Sequence, residues 1–413
     1  MKTKSLYILL ALNTCMIPVG FSQENISEKL TTEAIDARIA EIRMGELIIK
    51  TKPGAVVEVK QLRHEFLFGT AVANNLAEND KNPLSPEDRK MYLKILAENF
   101  NYAVHENALK WYACETEPGI IDYSMADRIW EICHGLNIPM RGHCIFWEKE
   151  EFVMPWLKKL TNDELRAAVN RRAVSVTEHF KGRIEEFDLN NEMIHGDFFR
   201  RRLGYGIINE MAYMAKQGNP EAVLCVNDYG IVDIGYNTDA YVIQIKNLLA
   251  SGVPVGGIGC QGHASAYYPV ITPPEQVQMN LDKIARFNLP IKITECNFIF
   301  DDEETRTAQL QKLFPVYFAH PAVEAILFWG FWEGAHWQPT SALWKKDWTP
   351  TPQALAYRDL VFKKWWTQIS GKADEKGIFK ARAFYGDYSI SSNGKAKNTS
   401  LKKKDRSVQI SLE

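Results

Sequence analysis

The sequence predicts an α/β fold, a (β/α)8 TIM barrel with short β-rich extensions at its N- and C-terminal ends. Between residues 66 and 368, short apolar runs alternate with longer segments of helical periodicity, which favours β/α units and a parallel sheet. Each kind of segment occurs eight times, and roughly 300 residues suit a barrel whose usual length is about 250. A doubly wound open sheet is the alternative, but no glycine-rich phosphate-binding loop follows the first strand.

Each predicted strand is a short run rich in Val, Ile, Leu and Gly, and several helices carry start signals. Ser85 followed by Pro86 opens one helix, and Thr161 with Glu164 forms a capping box before another. The predicted strands are Phe66–Val72, Asn101–Glu106, Pro139–Trp147, Glu186–Glu192, Val223–Tyr229, Val255–His263, Ile291–Asn297 and Ala325–Glu333. The predicted helices are the one that opens at Ser85, then Ser124–Leu136, Leu165–Phe180, Gly206–Gln217, Asp239–Ala250, Pro274–Phe287, Glu303–Ala319 and Pro352–Trp366.

The two ends of the chain, residues 23–65 and 369–413, lie outside this alternation and are predicted to be β-rich extensions. In the first, a helical stretch near Ala34–Arg43 precedes two strands, Leu47–Thr51 and Ala55–Gln61. In the second, short strand-like pieces alternate with turn signals. Two arrangements remain open: one small β module beside the barrel, or two independent decorations.

Residues 1–22 have the features of a signal peptide: a lysine-containing start, an apolar run, and small residues before a cleavage site at Gln23. We therefore expect a mature chain that is secreted or periplasmic. A lipobox around Cys15, which would give a cell-surface lipoprotein, is the competing interpretation. Asn13 and Thr14 are poor residues before a lipidated cysteine, and this disfavours the lipoprotein.

The 413 residues are 46% hydrophobic and 24% charged, with a formal net charge of −2. This composition excludes disorder, collagen and a polytopic membrane protein, and the charge balance argues against nucleic acid as a partner. Beyond Cys15, six cysteines form no CxxC pair and the nine histidines form no HxH or HExxH pair. Neither a metal site nor a disulfide scaffold is therefore indicated, although pairing of Cys114 with Cys133 stays open. We expect no cofactor, no membrane span and a monomer.

Two glutamates stand where a parallel barrel places its working residues, at the carboxyl ends of strands. Glu192 ends the fourth predicted strand and Glu295 ends the seventh. Two facing carboxylates drive their pKa values apart, which gives one protonated acid and one ionised nucleophile. That pair suits cleavage of a glycosidic bond, whereas a structural ion pair is the plainer interpretation.

Hydrogen-bonding side chains and indoles end four further strands. Singly, each has a structural explanation: Lys110 as a solvated charge, His143 as a barrel histidine, Trp337 as packing. Jointly they predict a groove for a polyhydroxylated ring, with donors for hydroxyls and aromatic faces for the apolar face of the sugar. They are Glu106, Asn107, Lys110, His143, Trp147, Gln261, His263, Trp329 and Trp337.

In their order along the chain, from about Phe100 to Tyr357, these motifs resemble glycoside hydrolase family 10, the retaining endo-β-1,4-xylanases. The resemblance is carried by Glu106-Asn107, Lys110-Trp111, Thr116-Glu117-Pro118, Ala126-Asp127, Arg141-Gly142-His143, Trp147, Asp188, Asn191-Glu192, Asn227-Asp228-Tyr229, Gly257-Ile258-Gly259, Gln261-Gly262-His263, Ile293-Thr294-Glu295, Trp329-Gly330 and Trp337.

The resemblance implies a role for each matching residue. Glu192 would be the acid/base, Glu295 the nucleophile and Asn191 the partner of the sugar 2-hydroxyl. His263 would keep the nucleophile ionised, and Gln261 with Tyr229 would belong to the groove wall. On the glycone side the resemblance places Glu106, Asn107, Lys110, His143 and Trp147, with Trp329 and Trp337 closing that subsite.

Three departures from the family pattern leave the substrate open. Glu150 stands where a glutamine is usual, Asn297 where an aspartate is usual, and Phe331-Trp332-Glu333 replaces a short loop with Asp. The leading hypothesis is a secreted, retaining endo-glycosidase that hydrolyses β-1,4-xylosidic bonds of xylan. The alternatives are the same barrel acting on another β-linked plant or algal polysaccharide, or a weakened barrel that only binds carbohydrate.

Overall fold

A computed structural model of the chain describes residues 26–264 and 270–412. The signal peptide predicted at residues 1–22, with Cys15, lies outside the described residues. The strands are β1 Met44–Lys50, β2 Val56–His64, β3 Leu67–Val72, β4 Tyr102–His105, β5 Met140–Arg141, β6 Phe146–Trp147, β7 Glu186–Asn191, β8 Val223–Asp228, β9 Val255–Cys260, β10 His263–Ala264, β11 Ile291–Phe298, β12 Val323–Phe328, β13 Gln368–Lys372, β14 Ile378–Phe384, β15 Gly386–Ser392, β16 Lys395–Leu401 and β17 Ser407–Ser411. The helices are α1 Thr32–Arg43, α2 Pro86–Asn99, α3 Trp111–Cys114, α4 Ser124–Gly135, α5 Pro155–Lys159, α6 Asn162–His179, α7 Phe198–Leu203, α8 Ile207–Gly218, α9 Thr238–Ala250, α10 Pro274–Ala285, α11 Glu303–Ala319 and α12 Pro352–Asp359.

Strands β3 to β12 form one parallel sheet that closes on itself. Its order is β5-β4-β3-β12-β11-β9-β8-β7-β6, and β10 pairs with β11. The two ends of this order, β5 and β6, belong to one segment of chain, and a parallel bridge between Gly142 and Phe187 joins that segment to β7. Eight strand positions therefore surround one axis, and the predicted (β/α)8 barrel is confirmed.

The third and sixth predicted strands differ from the structure because each is interrupted. The third is divided into β5 and β6, between which only an isolated bridge reaches β7. The sixth is divided into β9 and β10 at Gly262, whose φ of +78° is a left-handed conformation that an extended strand does not contain. The last predicted helix ends early: α12 stops at Asp359 and a π-helical turn follows. The short helices α3, α5 and α7 are absent from the prediction.

The two ends of the chain pair with each other and form one β module. In one sheet β1 lies between β14, which is antiparallel, and β17, which is parallel; in the other, the order is β13-β2-β15-β16. Apolar side chains from both sheets, among them Leu47, Val59, Tyr388 and Ile410, form a core separate from that of the barrel. The alternative of two independent decorations is therefore wrong.

This module packs against the amino-terminal end of the barrel. The guanidinium of Arg43, at the end of α1, donates hydrogen bonds to the backbone carbonyls of Phe318, His320 and Val323. Arg63, at the end of β2, donates to the carbonyl of Asn101, which precedes β4. The opposite end, where the strands finish, is left to the loops that carry the candidate site.

Within the described ranges, no helix is both long enough and apolar enough to cross a bilayer. These ranges also contain no group of three or more His, Cys, Asp or Glu side chains arranged to hold a metal ion. The six cysteines within these ranges, Cys114 and Cys133 among them, carry free, buried thiols.

Candidate active site

All twelve predicted site residues lie in one connected network at the carboxyl ends of the barrel strands. Every member contacts at least one other through a hydrogen bond, an ion pair or a ring. A closed parallel barrel brings them together because all of its strands finish at the same face. The residues are Glu106, Asn107, Lys110, His143, Trp147, Asn191, Glu192, Gln261, His263, Glu295, Trp329 and Trp337.

Glu192 directly follows β7, and each of its carboxyl oxygens accepts a hydrogen bond. Nε2 of Gln261 donates to Oε1 at 2.9 Å, and the indole of Trp147 donates to Oε2 at 3.1 Å. Burial raises the pKa of Glu192 above its ordinary value, and the neighbouring charge of Glu295 raises it further. The protonated form is thereby favoured, which is the form that a general acid requires.

The turn after Glu192 is held in place by a buried ion pair. Glu192 has a φ of +57°, and the N–H of Gly196 donates to its carbonyl oxygen at 3.0 Å. Arg200 donates to the carbonyl of Gly196 and, at 2.7 Å, to the buried carboxylate of Glu148. A Cβ at Gly196 would lie 2.5 Å from the backbone nitrogen of Lys149, so this close approach requires glycine.

Glu295, within β11, is surrounded by groups that stabilise its negative charge. Nδ2 of Asn227 donates to Oε1 at 2.7 Å, and Nε2 of His263 lies 3.2 Å from Oε2. Burial by itself would raise the pKa of Glu295, but the hydrogen bond from His263 and the electrostatic influence of His143 and Lys110 hold it at about 2. Glu295 is therefore ionised wherever the barrel is folded near neutral pH.

A chain of side-chain amides connects the two carboxylates. Asn227 donates both to Glu295 and, at 2.9 Å, to Oδ1 of Asn191. Nε2 of Gln261 lies between the same Asn191 oxygen, at 3.5 Å, and Glu192. These contacts fix the orientation of both carboxyl groups before any substrate is bound.

A compensated layer of buried charges lies beneath Glu295. Arg141 pairs with Glu186 at 2.9 Å and also with Asp188, while Lys292 pairs with Glu186. Nδ1 of His143 lies 2.8 Å from the Asp188 carboxylate. Two cations and two carboxylates balance one another, as buried charges must. The layer therefore anchors the imidazole that faces the nucleophile.

An aromatic wall surrounds the ammonium group of Lys110. Its Nζ donates to Oδ1 of Asn107 at 3.0 Å and lies 4.5 Å from the ring centroid of Trp147 and 5.6 Å from that of Trp329. Trp147 is itself stacked on Phe152, with 3.7 Å between the ring centroids. Flat apolar rings beside a fixed cation are suited to a sugar ring and its hydroxyls.

The departure at Asn297 changes the surroundings of His263. Asn297 lies opposite His263 in the β10–β11 register, and its Oδ1 accepts a hydrogen bond from the indole of Trp337 at 3.1 Å. The buried Nδ1 of His263 has no hydrogen-bond partner among the described residues. The imidazole thus lies next to Glu295 through Nε2, while no carboxylate of the described residues is hydrogen-bonded to its Nδ1.

The departure at Glu150 leaves its charge outside the network of site residues. The Glu150 carboxylate is exposed and pairs with Arg201 at 2.6 Å. The preceding residue, Lys149, faces the site instead, with Nζ 3.6 Å from Oε2 of Glu192.

Sequence reasoning assigned no role to several contributors to the site. Asn227 is the last residue but one of β8, so the rule that working residues lie at the carboxyl ends of barrel strands, the strand-end rule, could have given it one. Thr294 donates to Asn227 at 2.6 Å and lies beside Glu295 in the chain. Lys149 and Phe152 had no such signal, because the path of the loop after β6 decides where they lie.

The comparisons with known proteins agree with this geometry. The model of glycosyl hydrolase family 10 matches residues 59–361. The anti-sigma-I factor RsgI6 of Acetivibrio thermocellus is 39% identical over 366 residues, which are 86% of this chain and 45% of that protein. Endo-1,4-beta-xylanase 1 of Arabidopsis thaliana is 35% identical over 371 residues, 87% of this chain and 37% of the plant protein.

The chain thus spans less than half the length of these two relatives. Among solved structures, xylanase 10B from Thermotoga petrophila RKU-1 in complex with xylobiose superposes with a TM-score of 0.64 at 26% identity. That match covers 73% of this chain and 95% of the xylanase. The chain belongs to glycosyl hydrolase family 10.

Proposed function

We propose that this chain is an endo-acting glycoside hydrolase that cuts β-1,4-xylosidic bonds of xylan by double displacement, with retention at the anomeric carbon. The observation that carries the proposal is the pair of buried carboxyl groups at one end of the barrel, Glu192 and Glu295, which a chain of side-chain amides connects and whose pKa values are shifted in opposite directions, raised at Glu192 and lowered at Glu295. One carboxyl group is prepared to give a proton and the other to attack. Similarity to a plant endo-1,4-beta-xylanase and to a xylanase that binds xylobiose supports the choice of substrate.

In the first step, a carboxylate oxygen of Glu295 attacks the anomeric carbon as the glycosidic bond breaks. Glu192 gives its proton to the departing glycosidic oxygen, so that the leaving sugar departs neutral. In the second step, Glu192, now a carboxylate, takes a proton from water as the water oxygen attacks the anomeric carbon. The bond to Glu295 breaks, and both carboxyl groups return to their starting states.

The remaining site residues bind and orient the sugar. Asn191 would donate to the 2-hydroxyl next to the reacting carbon, where a hydrogen bond strengthens as charge develops. Trp147, Trp329 and Trp337 offer rings for the apolar faces of xylose units. Glu106, whose pKa is raised by burial despite the neighbouring Lys110, would bind hydroxyls deeper on the glycone side.

We also propose that the chain is exported and acts as a monomer. Residues 1–22 read as a signal peptide, which supports export. One chain supplies every residue of the network described above, so the proposed chemistry needs no second subunit.

Product analysis tests the proposed function. The purified chain is incubated with arabinoxylan, β-1,3-xylan, mixed-linkage glucan and an aryl β-xyloside, while new reducing ends and the first anomer formed are followed by NMR. We expect xylo-oligosaccharides from arabinoxylan with the β anomer released first. Initial release of the α anomer would contradict retention, and cleavage of glucan alone would replace xylan as the substrate. Binding without cleavage would leave the alternative of a carbohydrate-binding barrel.

A further inference from the structure

The ammonium group of Lys149 lies beside the carboxyl group assigned above as the acid/base. Its Nζ is 3.6 Å from Oε2 of Glu192, the same oxygen that accepts the indole hydrogen bond of Trp147. The Lys149 side chain is only 21% exposed, so water screens this pair in part. Lys149 is not among the residues that carry the resemblance to the family.

Three neighbours keep the ammonium group in this position. Glu151 pairs with it at 3.2 Å, and it lies 5.6 Å from the ring centroid of Phe152 and 5.9 Å from that of Tyr229. Tyr229 is itself fixed, because its ring stacks on His195 with 3.6 Å between centroids. A lysine with only a solvation role would extend into water, whereas this one is held over two rings.

The other charges that act on Glu192 have the opposite sign. Glu295, on β11, and Asp228, at the end of β8, are acidic and raise the pKa of Glu192, and Lys149 lowers it. The hydrogen bond from the neutral amide of Gln261 also favours the carboxylate. Lys149 is therefore the cation that offsets two neighbouring carboxylates when Glu192 becomes charged.

We propose that Lys149 is a positioning residue that acts through Glu192, its ammonium group stabilising the carboxylate that remains after the proton has passed to the leaving oxygen. The inference rests on the proposed function, since that function assigns Glu192 its role. In the first step the O–H bond of Glu192 breaks, the leaving oxygen gains the proton and the new carboxylate lies beside Lys149. In the second step water returns the proton to Glu192. The cation therefore favours the first step and opposes the second.

A titration that needs no turnover tests the contact directly. The full chain, labelled with 13C at glutamate carboxyl carbons, is titrated as wild type, Lys149→Met, Lys149→Arg and the matched control Lys158→Met, a lysine exposed at the end of α5. Because a cation favours the carboxylate, its loss should raise the Glu192 midpoint by about half to one pH unit. Lys149→Arg and Lys158→Met should stay near wild type. Equal midpoints for wild type and Lys149→Met would overturn the proposal.

Kinetics with a series of aryl β-xylobiosides give a second readout. Because a shift of half to one pH unit changes acid strength by at most about tenfold, and only part of that change appears in the rate, Lys149→Met should lose about two- to fivefold in kcat/KM for poor leaving groups and almost nothing for activated ones. Uniform loss across the series would assign Lys149 to substrate binding and overturn the proposal. A wild-type chain that cuts no xylan would instead refute the proposed function. The titration would still show whether Lys149 acts on the pKa of Glu192.

Discussion

The two ends of the barrel bury charge in different ways. At the amino-terminal end, the Arg43 guanidinium lies against the rings of Phe66 and Phe318, at 4.6 Å and 5.2 Å from their centroids. Its hydrogen bonds go to three backbone carbonyls, and burial lowers its pKa to about 10 without bringing it near neutrality. Arg43 thus stays charged, with partners that the fold fixes.

At the carboxyl end, Glu192 and Glu295 have side-chain partners instead, and the pKa values of the two carboxyl groups are shifted in opposite directions. Glu295 is held ionised, while Glu192 is kept protonated beyond its ordinary range. At the amino-terminal end, the partners of the charge are backbone carbonyls, which do not change their protonation state. At the carboxyl end, the side-chain partners set the pKa of each carboxyl group and so prepare the two groups for different roles. In this fold, the charged residue that stabilises the amino-terminal end and the charged residues that prepare the chemistry are therefore different ones.

Replacing Glu295 should produce the largest effect of any single change. Glu295→Ala removes the attacking carboxylate, so we expect kcat/KM for an aryl β-xylobioside to fall by on the order of 10⁴-fold or more. Azide can enter the space that is left and attack the same carbon, which gives a glycosyl azide of inverted configuration. The measurement is turnover with and without azide, with the product anomer assigned by NMR. A folded variant that azide does not rescue would count against the nucleophile assignment.

Replacing Glu192 should give a loss that depends on the leaving group. Glu192→Gln cannot protonate the departing oxygen, so xylan hydrolysis should fall by about 10³-fold, whereas the first step on dinitrophenyl glycosides should be nearly unchanged. Equal loss on both substrates would contradict the acid role.

The pH profile follows from the same two groups. Activity needs Glu295 ionised and Glu192 protonated, so kcat/KM should fall on the acid side as pH approaches about 2. On the basic side it should fall only above the ordinary glutamate pKa of 4.5, since that of Glu192 is raised. Initial rates between pH 2 and 9 measure both limbs, and Glu192→Gln should lose the basic limb with an activated substrate. A basic limb that persists in this variant would belong to another group.

A change at the amino-terminal end should affect stability and leave the chemistry intact. Arg43→Met leaves three buried carbonyls without their donor, so the free energy of unfolding should fall by about 2–4 kcal/mol. Arg382→Met is the matched control, because exposed Arg382 donates to a single carbonyl among the described residues, that of Ala40, and its loss should cost less than about 1 kcal/mol. Denaturant unfolding measures both, and kcat per folded molecule should equal that of the wild type. A lower kcat in the folded fraction would mean that the two ends are coupled.

The strand-end rule explains why so much of the site could be predicted. All strands of a parallel barrel end at the same face. Glu192 and Glu295 therefore lie in one site although 103 positions separate them in the sequence. The interruption between β5 and β6 was not predictable, since Gly142 joins Phe187 through a parallel bridge of backbone hydrogen bonds to a distant segment, which no local pattern indicates.

In the β module, too, the sequence pattern predicts a strand without predicting its distant partner. The alternating pattern of β1 predicts a strand but not its partner, and it pairs with β14, more than 300 positions along the chain. Lys149 escaped prediction for a related reason. Four charged residues, three acidic and one basic, follow Trp147 in succession, and only the loop geometry decides which of them faces Glu192.

The smallest effect should come from replacing Trp337. This variant distinguishes a sugar-binding role of the indole from a packing role at the catalytic end of the barrel. Its side chain is 40% exposed, with the indole nitrogen bound to Asn297, so Trp337→Ala should move the thermal midpoint by only a degree or two. Loss of a ring that contacts sugar should lower kcat/KM on xylohexaose roughly tenfold, mainly through KM. Tyr213→Ala on the outer face of α8 removes another exposed aromatic ring as a control and should change neither quantity. If Trp337→Ala instead unfolds several degrees earlier with unchanged kinetics, the indole serves the fold, and sugar contact at this edge falls to Trp147 and Trp329.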